Sequence, residues 1–194
     1  LAEVYGVSGD ETAILYNYER QEPTGIYENG QTYLPVSWIN DHINERFYWD
    51  STENLLVYAL PDQIVYADAE TKGSNGAPLL VVKDDEVYLT LGLIANYTDV
   101  QIQTFDSEDG KRVLINDWGT RNTARVKKAG SLRVKGGVKS KVLTDLAKDD
   151  TVTVLDTMEK WSRVASSDGN IGYVENKRLA AAESRKFSGN FKAP

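Results

Sequence analysis

The sequence predicts an α+β repeat domain, built from two strand–helix–hairpin copies, followed by an all-β small barrel. Three observations carry this reading. Two stretches of the first half repeat one pattern at an offset of 55 residues (Tyr33 against Tyr88). Five short runs of alternating apolar residues, divided by turn residues, fill the stretch after residue 130. Charge also changes sign between the two: residues 1–119 hold 6 Lys/Arg and 21 Asp/Glu, whereas residues 120–180 hold 13 and 7. A swing from −15 to +6 marks two units with a boundary at Gly119–Thr120, and opposite charge offers a way to dock one on the other.

In the first copy, Asn29–Gly30 is a turn leading into a strand at Tyr33–Leu34. Pro35 stands where a first helical turn tolerates it. Val36, Ile39 and Ile43 then recur at i, i+3 and i+7, one buried face of a helix of about ten residues. A hairpin follows, Phe47–Asp50 and Leu55–Tyr58, closed by Ser51-Thr52-Glu53-Asn54. The second copy reads alike: a turn at Asp84–Asp85, a strand at Tyr88–Leu89, a helix face of Leu91, Ile94 and Thr98, and a hairpin closed by Ser107-Glu108-Asp109-Gly110. Trp49 and Ile39 are the expected core of one copy, Phe105 and Ile94 of the other. One such copy is marginal alone, and two packed together make a workable core.

The barrel, assigned to residues 120–180, has Ser131–Asp156 supplying three strands divided by Gly-Gly, Lys-Ser and Asp-Asp. Trp161–Ala165 and Ile171–Val174 form a hairpin around Ser167-Asp168-Gly169-Asn170. Residues 181–194 are expected to be a linker toward a further domain.

Composition bounds the function. The chain of 194 residues has 41% hydrophobic residues and no cysteine, which excludes a disulfide framework and a thiolate metal site. No apolar run approaches the ~18 residues of a membrane span. Leu1 opens the chain with neither a Met nor a basic or apolar leader, which reads as a processed or trimmed chain. The lone His42 has no neighbouring nucleophile, and Asp84-Asp85-Glu86 and Glu108-Asp109 lack calcium-loop spacing. No metal or other cofactor is implied, and no catalytic residue is assigned. Lys127, Lys128, Arg133, Lys135, Lys139 and Lys141 give the barrel a basic strip, but its aromatics are few and the acidic half would repel a nucleic acid, so none is expected as partner. An anionic wall polymer meets the same electrostatics. A solvated or inter-domain face is the plain alternative.

The string from Leu132 to Val174, ending in Trp161 to Val174 (WSRVASSDGNIGYV), resembles the bacterial SH3-like domain, a module carried by secreted cell-wall proteins. Its departures are Arg133 and Lys135 in the place of Asn and Arg of an L-N-V-R motif, and Asp149 in the place of a Gly. The resemblance implies a ligand groove lined by loop aromatics, which assigns ligand binding to Trp161 and Tyr173, with Lys135 and Lys139 from the basic strip. Core packing is the competing role for Trp161. Residues 10–118, through Gly30–Asp50 and Glu86–Asp106, resemble the domain named for the N-terminal region of copper amine oxidases, in the duplicated form of Gram-positive exported proteins. The name implies no copper here, since such a site wants several imidazoles. Domains in this order resemble the front of exported family 18 glycoside hydrolases. The acidic D-x-x-D-x-D-x-E cluster of those enzymes is absent, so catalysis is expected beyond Pro194. The expected function is a non-catalytic, secreted or wall-associated region that binds peptidoglycan or another cell-wall glycan and presents that enzyme. The alternative is a structural arm packing on the downstream catalytic domain or a partner, with no ligand of its own.

Overall fold

A computed structural model describes residues 4–191. Its elements, in order, are β1 (Glu11–Tyr16), β2 (Glu19–Glu28), β3 (Gln31–Pro35), α1 (Val36–His42), β4 (Phe47–Asp50), β5 (Leu55–Leu60), β6 (Gln63–Ala67), β7 (Leu80–Lys83), β8 (Glu86–Thr90), α2 (Leu91–Asn96), β9 (Gln101–Phe105) and β10 (Lys111–Asn116). Then come β11 (Gly119–Arg125), β12 (Gly130–Arg133), β13 (Val142–Leu146), β14 (Thr151–Thr157), β15 (Trp161–Ala165), β16 (Ile171–Glu175), a 3-10 turn at Asn176–Arg178, and β17 (Glu183–Phe187).

The molecule is mostly β, which corrects the α+β class expected for residues 1–119. Helix α1 has 7 residues and α2 has 6, short of the expected ten. Pro35 is the N-cap of α1 and Thr90 of α2, where its hydroxyl accepts from the Leu93 N–H at 3.2 Å. The C-caps are Ile43 and Tyr97, whose N–H groups donate to the Ile39 and Ile94 carbonyls, and polar side chains follow each end. Asn44 donates to the Tyr97 carbonyl at 3.2 Å, and the Thr98 hydroxyl donates back to the Ile94 carbonyl at 2.8 Å. The apolar face is nonetheless the one the spacing gives: Val36, Ile39 and Ile94 are buried in one cluster.

The order strand, helix, hairpin occurs twice, but the two hairpins go to different places. β9–β10 joins a seven-stranded sheet of order β7-β8-β3-β2-β1-β10-β9, in which β1 and β10 run parallel. β4–β5 instead forms a separate three-stranded sheet with β6. The Asn29–Gly30 and Asp84–Asp85 turns both have two successive positive φ angles, as primed hairpin turns require. Ile39 and Phe47 are fully buried, whereas Trp49 is half-buried at the edge of the core.

The second sheet has the order β13-β12-β16-β15-β14-β11-β17. Ala124, Leu132, Leu146, Val152, Val164 and Val174, from six of its strands, meet in one core. A sheet can bring one face of so many strands together only by curling on itself. Two features depart from the expected boundaries. The junction near residue 119 is the start of β11, which pairs with both β14 and β17. The stretch 181–194, expected as a linker, contains β17, in register with β11 from Gly119↔Phe187 to Thr123↔Glu183. Alternate side chains of a strand that must complete a sheet need not be apolar, and ESRKF shows no hydrophobic pattern to reveal it.

Arg112 is at the centre of the docking between the two seven-stranded sheets. Arg112, on β10, is only 1% exposed. Its Nε donates to the Gly169 carbonyl at 2.6 Å and its Nη2 to Asn170 Oδ1 at 3.2 Å and the Asp168 carbonyl at 3.3 Å. Nη1 serves its own sheet, through Gly110 O at 2.8 Å and Ser107 Oγ at 3.1 Å. The Tyr5 ring lies 4.6 Å from the guanidinium carbon, and its hydroxyl donates to Asn170 Oδ1 at 2.9 Å. Burial pushes the Tyr5 hydroxyl pKa up against the pull of Arg112, so it stays a neutral donor. Around this polar knot Tyr5, Val7, Ala13, Leu15 and Leu114 form a small core against Phe105 and Ile171. Lys141 pairs with the buried Asp109 at 2.6 Å, and Arg163 donates to the Tyr18 carbonyl at 3.0 Å.

Candidate functional site

The cleft is built on the outer face of β12, β16 and β15. Leu132, Val174 and Val164 point inward and are fully buried, so alternation turns Arg133, Tyr173 and Arg163 outward. Those three stand in one cross-strand row, Arg133↔Tyr173↔Arg163. Trp161 lies one pleat further along, opposite Glu175.

Two loops close over this face. The turn between β14 and β15 is held by the Met158 N–H on the Trp161 carbonyl at 2.9 Å. Asn176 fastens it from behind: its Nδ2 donates to the Met158 carbonyl at 2.7 Å, its Oδ1 accepts from the Ser162 hydroxyl at 2.5 Å, and its N–H donates to the Lys160 carbonyl at 2.9 Å. The loop between β12 and β13 is folded back by Arg133 on the Ser140 carbonyl and by Ser140 Oγ accepting from the Lys135 N–H, both 2.8 Å. Gly136 then lies flat on the indole, where a Cβ would come within 3.1 Å of Trp161 Cγ.

The result is an open cleft of about 470 Å³ lined by Lys135, Gly136, Met158, Glu159, Lys160, Trp161 and Tyr173. Three of the four residues assigned from sequence therefore share one surface. Lys139 is exposed on the same loop but does not line the cleft. Trp161 and Tyr173 are both half-buried, each with part of its ring against protein and part open to solvent. Lysines on both loops give the rim positive charge, with Glu159 among them. At the back, a hydrogen bond from Arg178 holds the Glu175 carboxyl below its usual pKa range, so it is ionised through the physiological range. Chemically, two aromatic rings and flanking ammonium groups suit a sugar face with a nearby carboxylate or phosphate. Gly136 and Asn176 were not assigned from sequence. Gly136-Gly137 is visible as a break between strands, but nothing in the string says which ring it packs on.

Three of the other candidates, His42, Glu86 and Asp109, have local partners. The His42 ring stacks on Trp38 with centroids 4.9 Å apart, and its Nδ1 lies 3.0 Å from the Trp38 carbonyl. Glu86 accepts from Ser37 at 2.7 Å, and Asp109 is committed to Lys141. Among the described residues no group of three or more His, Cys, Asp or Glu is placed to hold a metal ion. None of their helices is long and apolar enough to cross a membrane.

Residues 128–180 match a family described as Bacterial SH3 domain. The matched stretch contains the whole cleft, and β12 to β16 lie within it. Domains of this kind often bind cell-wall components. No curated protein and no solved structure matches the chain.

Proposed function

We propose that this chain is a non-catalytic, wall-binding region of an exported bacterial protein. Its cleft at Trp161 and Tyr173 takes a cell-wall glycan, with peptidoglycan the first candidate. The observation that carries the reading is the convergence of Trp161, Tyr173 and Lys135 on one open cleft inside the stretch similar to bacterial SH3 domains. The rings face the glycan, and Lys135 and Lys160 meet its acidic substituents. In this reading the chain stands ahead of a family 18 glycoside hydrolase, the domain order that the resemblance drawn from the sequence of residues 10–118 implies. In that arrangement the chain holds its enzyme at the wall and has no turnover of its own.

Sedimentation of the purified chain with insoluble peptidoglycan and with chitin tests this. Retention on peptidoglycan, reduced by Tyr173→Ala and by added salt, is expected. Failure to bind at low salt would reject the reading. A second reading, a structural arm without a ligand, is favoured by the buried contacts of Arg112, which spend part of the barrel surface on docking. It predicts no retention and no effect of Tyr173→Ala on anything but local packing.

A further inference from the structure

A groove of about 200 Å³ runs between the two sheets on the side away from the Trp161 loops, bounded by Gln101, Gln103, Arg121, Thr153, Arg185 and Phe187 among others. Arg121 and Arg185 are direct partners in the β11–β17 register, so their side chains leave the same face side by side. Both guanidiniums converge on one ring, lying 4.5 Å and 5.2 Å from the Phe187 centroid. Like charges directly opposite on adjacent strands destabilise a sheet, and the Phe187 ring offsets part of that cost. No carboxylate is bonded to either guanidinium among the described residues. Arg121 donates to Gln101 Oε1 and to the Asp117 carbonyl, both at 2.9 Å, and neither acceptor is charged. Arg185 has no hydrogen-bond or ion-pair partner among the described residues, and Glu183, two residues away on the same face, is paired with neither.

We infer that Arg121, Arg185 and Phe187 form a second binding site, for the terminal carboxylate of a short peptide. One carboxylate accepts from two guanidinium forks at once and cancels the repulsion that the bare pair suffers. The Phe187 ring holds the two guanidiniums beside one another, so one carboxylate can reach both. Gln103 faces the groove with an amide free to pair with a peptide bond, and Arg121 is already aimed by Gln101. The groove shares no lining residue with the cleft at Trp161. This inference does not rest on that cleft binding a glycan.

The test is an NMR titration of the full chain with N-acetyl-dialanine, its C-terminal amide, and inorganic phosphate. The free carboxylate should give saturable shifts at Arg185, Phe187 and Gln103, the amide none, and phosphate weaker ones. Arg185→Gln should weaken binding at least about tenfold, the loss of one charge-assisted pair. The same variant should keep or raise Tm, because it removes one of two opposed like charges. Equal binding of the amide, tighter binding of phosphate, shifts confined to the Trp161 cleft, unchanged binding by Arg185→Gln, or a fall in its Tm would each overturn the assignment.

Discussion

At the scale of single residues, Arg112 matters most to the architecture. It is fully buried and without a carboxylate, so its charge is carried by carbonyl and amide oxygens from both sheets. Arg112→Met leaves those acceptors unpaired and should cost about 3 kcal/mol or more in chemical denaturation, whereas an exposed arginine would cost almost nothing. Asp168 reports on the same place. Burial raises its pKa, but hydrogen bonds from Ser166, Thr144 and Asn170 outweigh that and leave it below the usual range. A depressed carboxyl stabilises the fold above its unfolded pKa and loses that contribution as pH falls. Stability should therefore decline below about pH 4, and Asp168→Asn should flatten that acid limb. Such a curve is measured by urea midpoints across pH. Trp49 was expected deep in the core and is half-buried, so Trp49→Ala should cost about 1 to 3 kcal/mol, less than a fully buried indole.

Among the elements, the hairpin β15–β16 shows what was legible. Its alternation and its Ser167-Asp168-Gly169-Asn170 turn could be read directly, and so could the rings at Trp161 and Tyr173. Which end of it meets which surface could not. Gly169 has φ +78°, and a Cβ there would fall 2.2 Å from the Phe105 ring, so the turn is glycine for two separate reasons. Only the second involves the other half of the molecule, and no local pattern encodes it. Helix length is less legible: the i, i+3, i+7 spacing is real, but the helices stop at Ile43 and Tyr97, before the pattern does. Strand β17 escaped because its side chains are polar. Asp149, noted as standing in place of a glycine, has φ +76°. Asp149→Gly should raise stability by about 1 kcal/mol, offset in part by the loss of its exposed pair with Arg125.

At the scale of the whole molecule, the charge swing between the halves falls where the chain passes from one sheet to another, and the passage is not a free joint. β11 begins at that point and is paired on both sides. Limited proteolysis should spare residues 117–123 and cut first in the exposed loop around Gly73-Ser74-Asn75-Gly76. Early cleavage at 117–123 would contradict the docked arrangement. Gly169→Ala should expose that junction to protease while leaving the inward residues of the barrel packed. Tyr173→Ala should weaken peptidoglycan retention roughly three- to tenfold with Tm unchanged, and Trp161→Ala should lower both.

The pairing of β11 with β17 decides how this chain can be cut and joined. The stretch that resembles a known module, residues 128–180, lacks both of those strands. Expressed by itself it would present β14 as an open edge, and its Ile171 and Gly169 would face water where they now face Phe105 and Tyr5. The portable unit is accordingly larger than the recognisable one. A graft meant to carry the cleft onto another protein should begin at Gly119 and run through Phe187, with the docking face re-surfaced. A graft of 128–180 alone should aggregate.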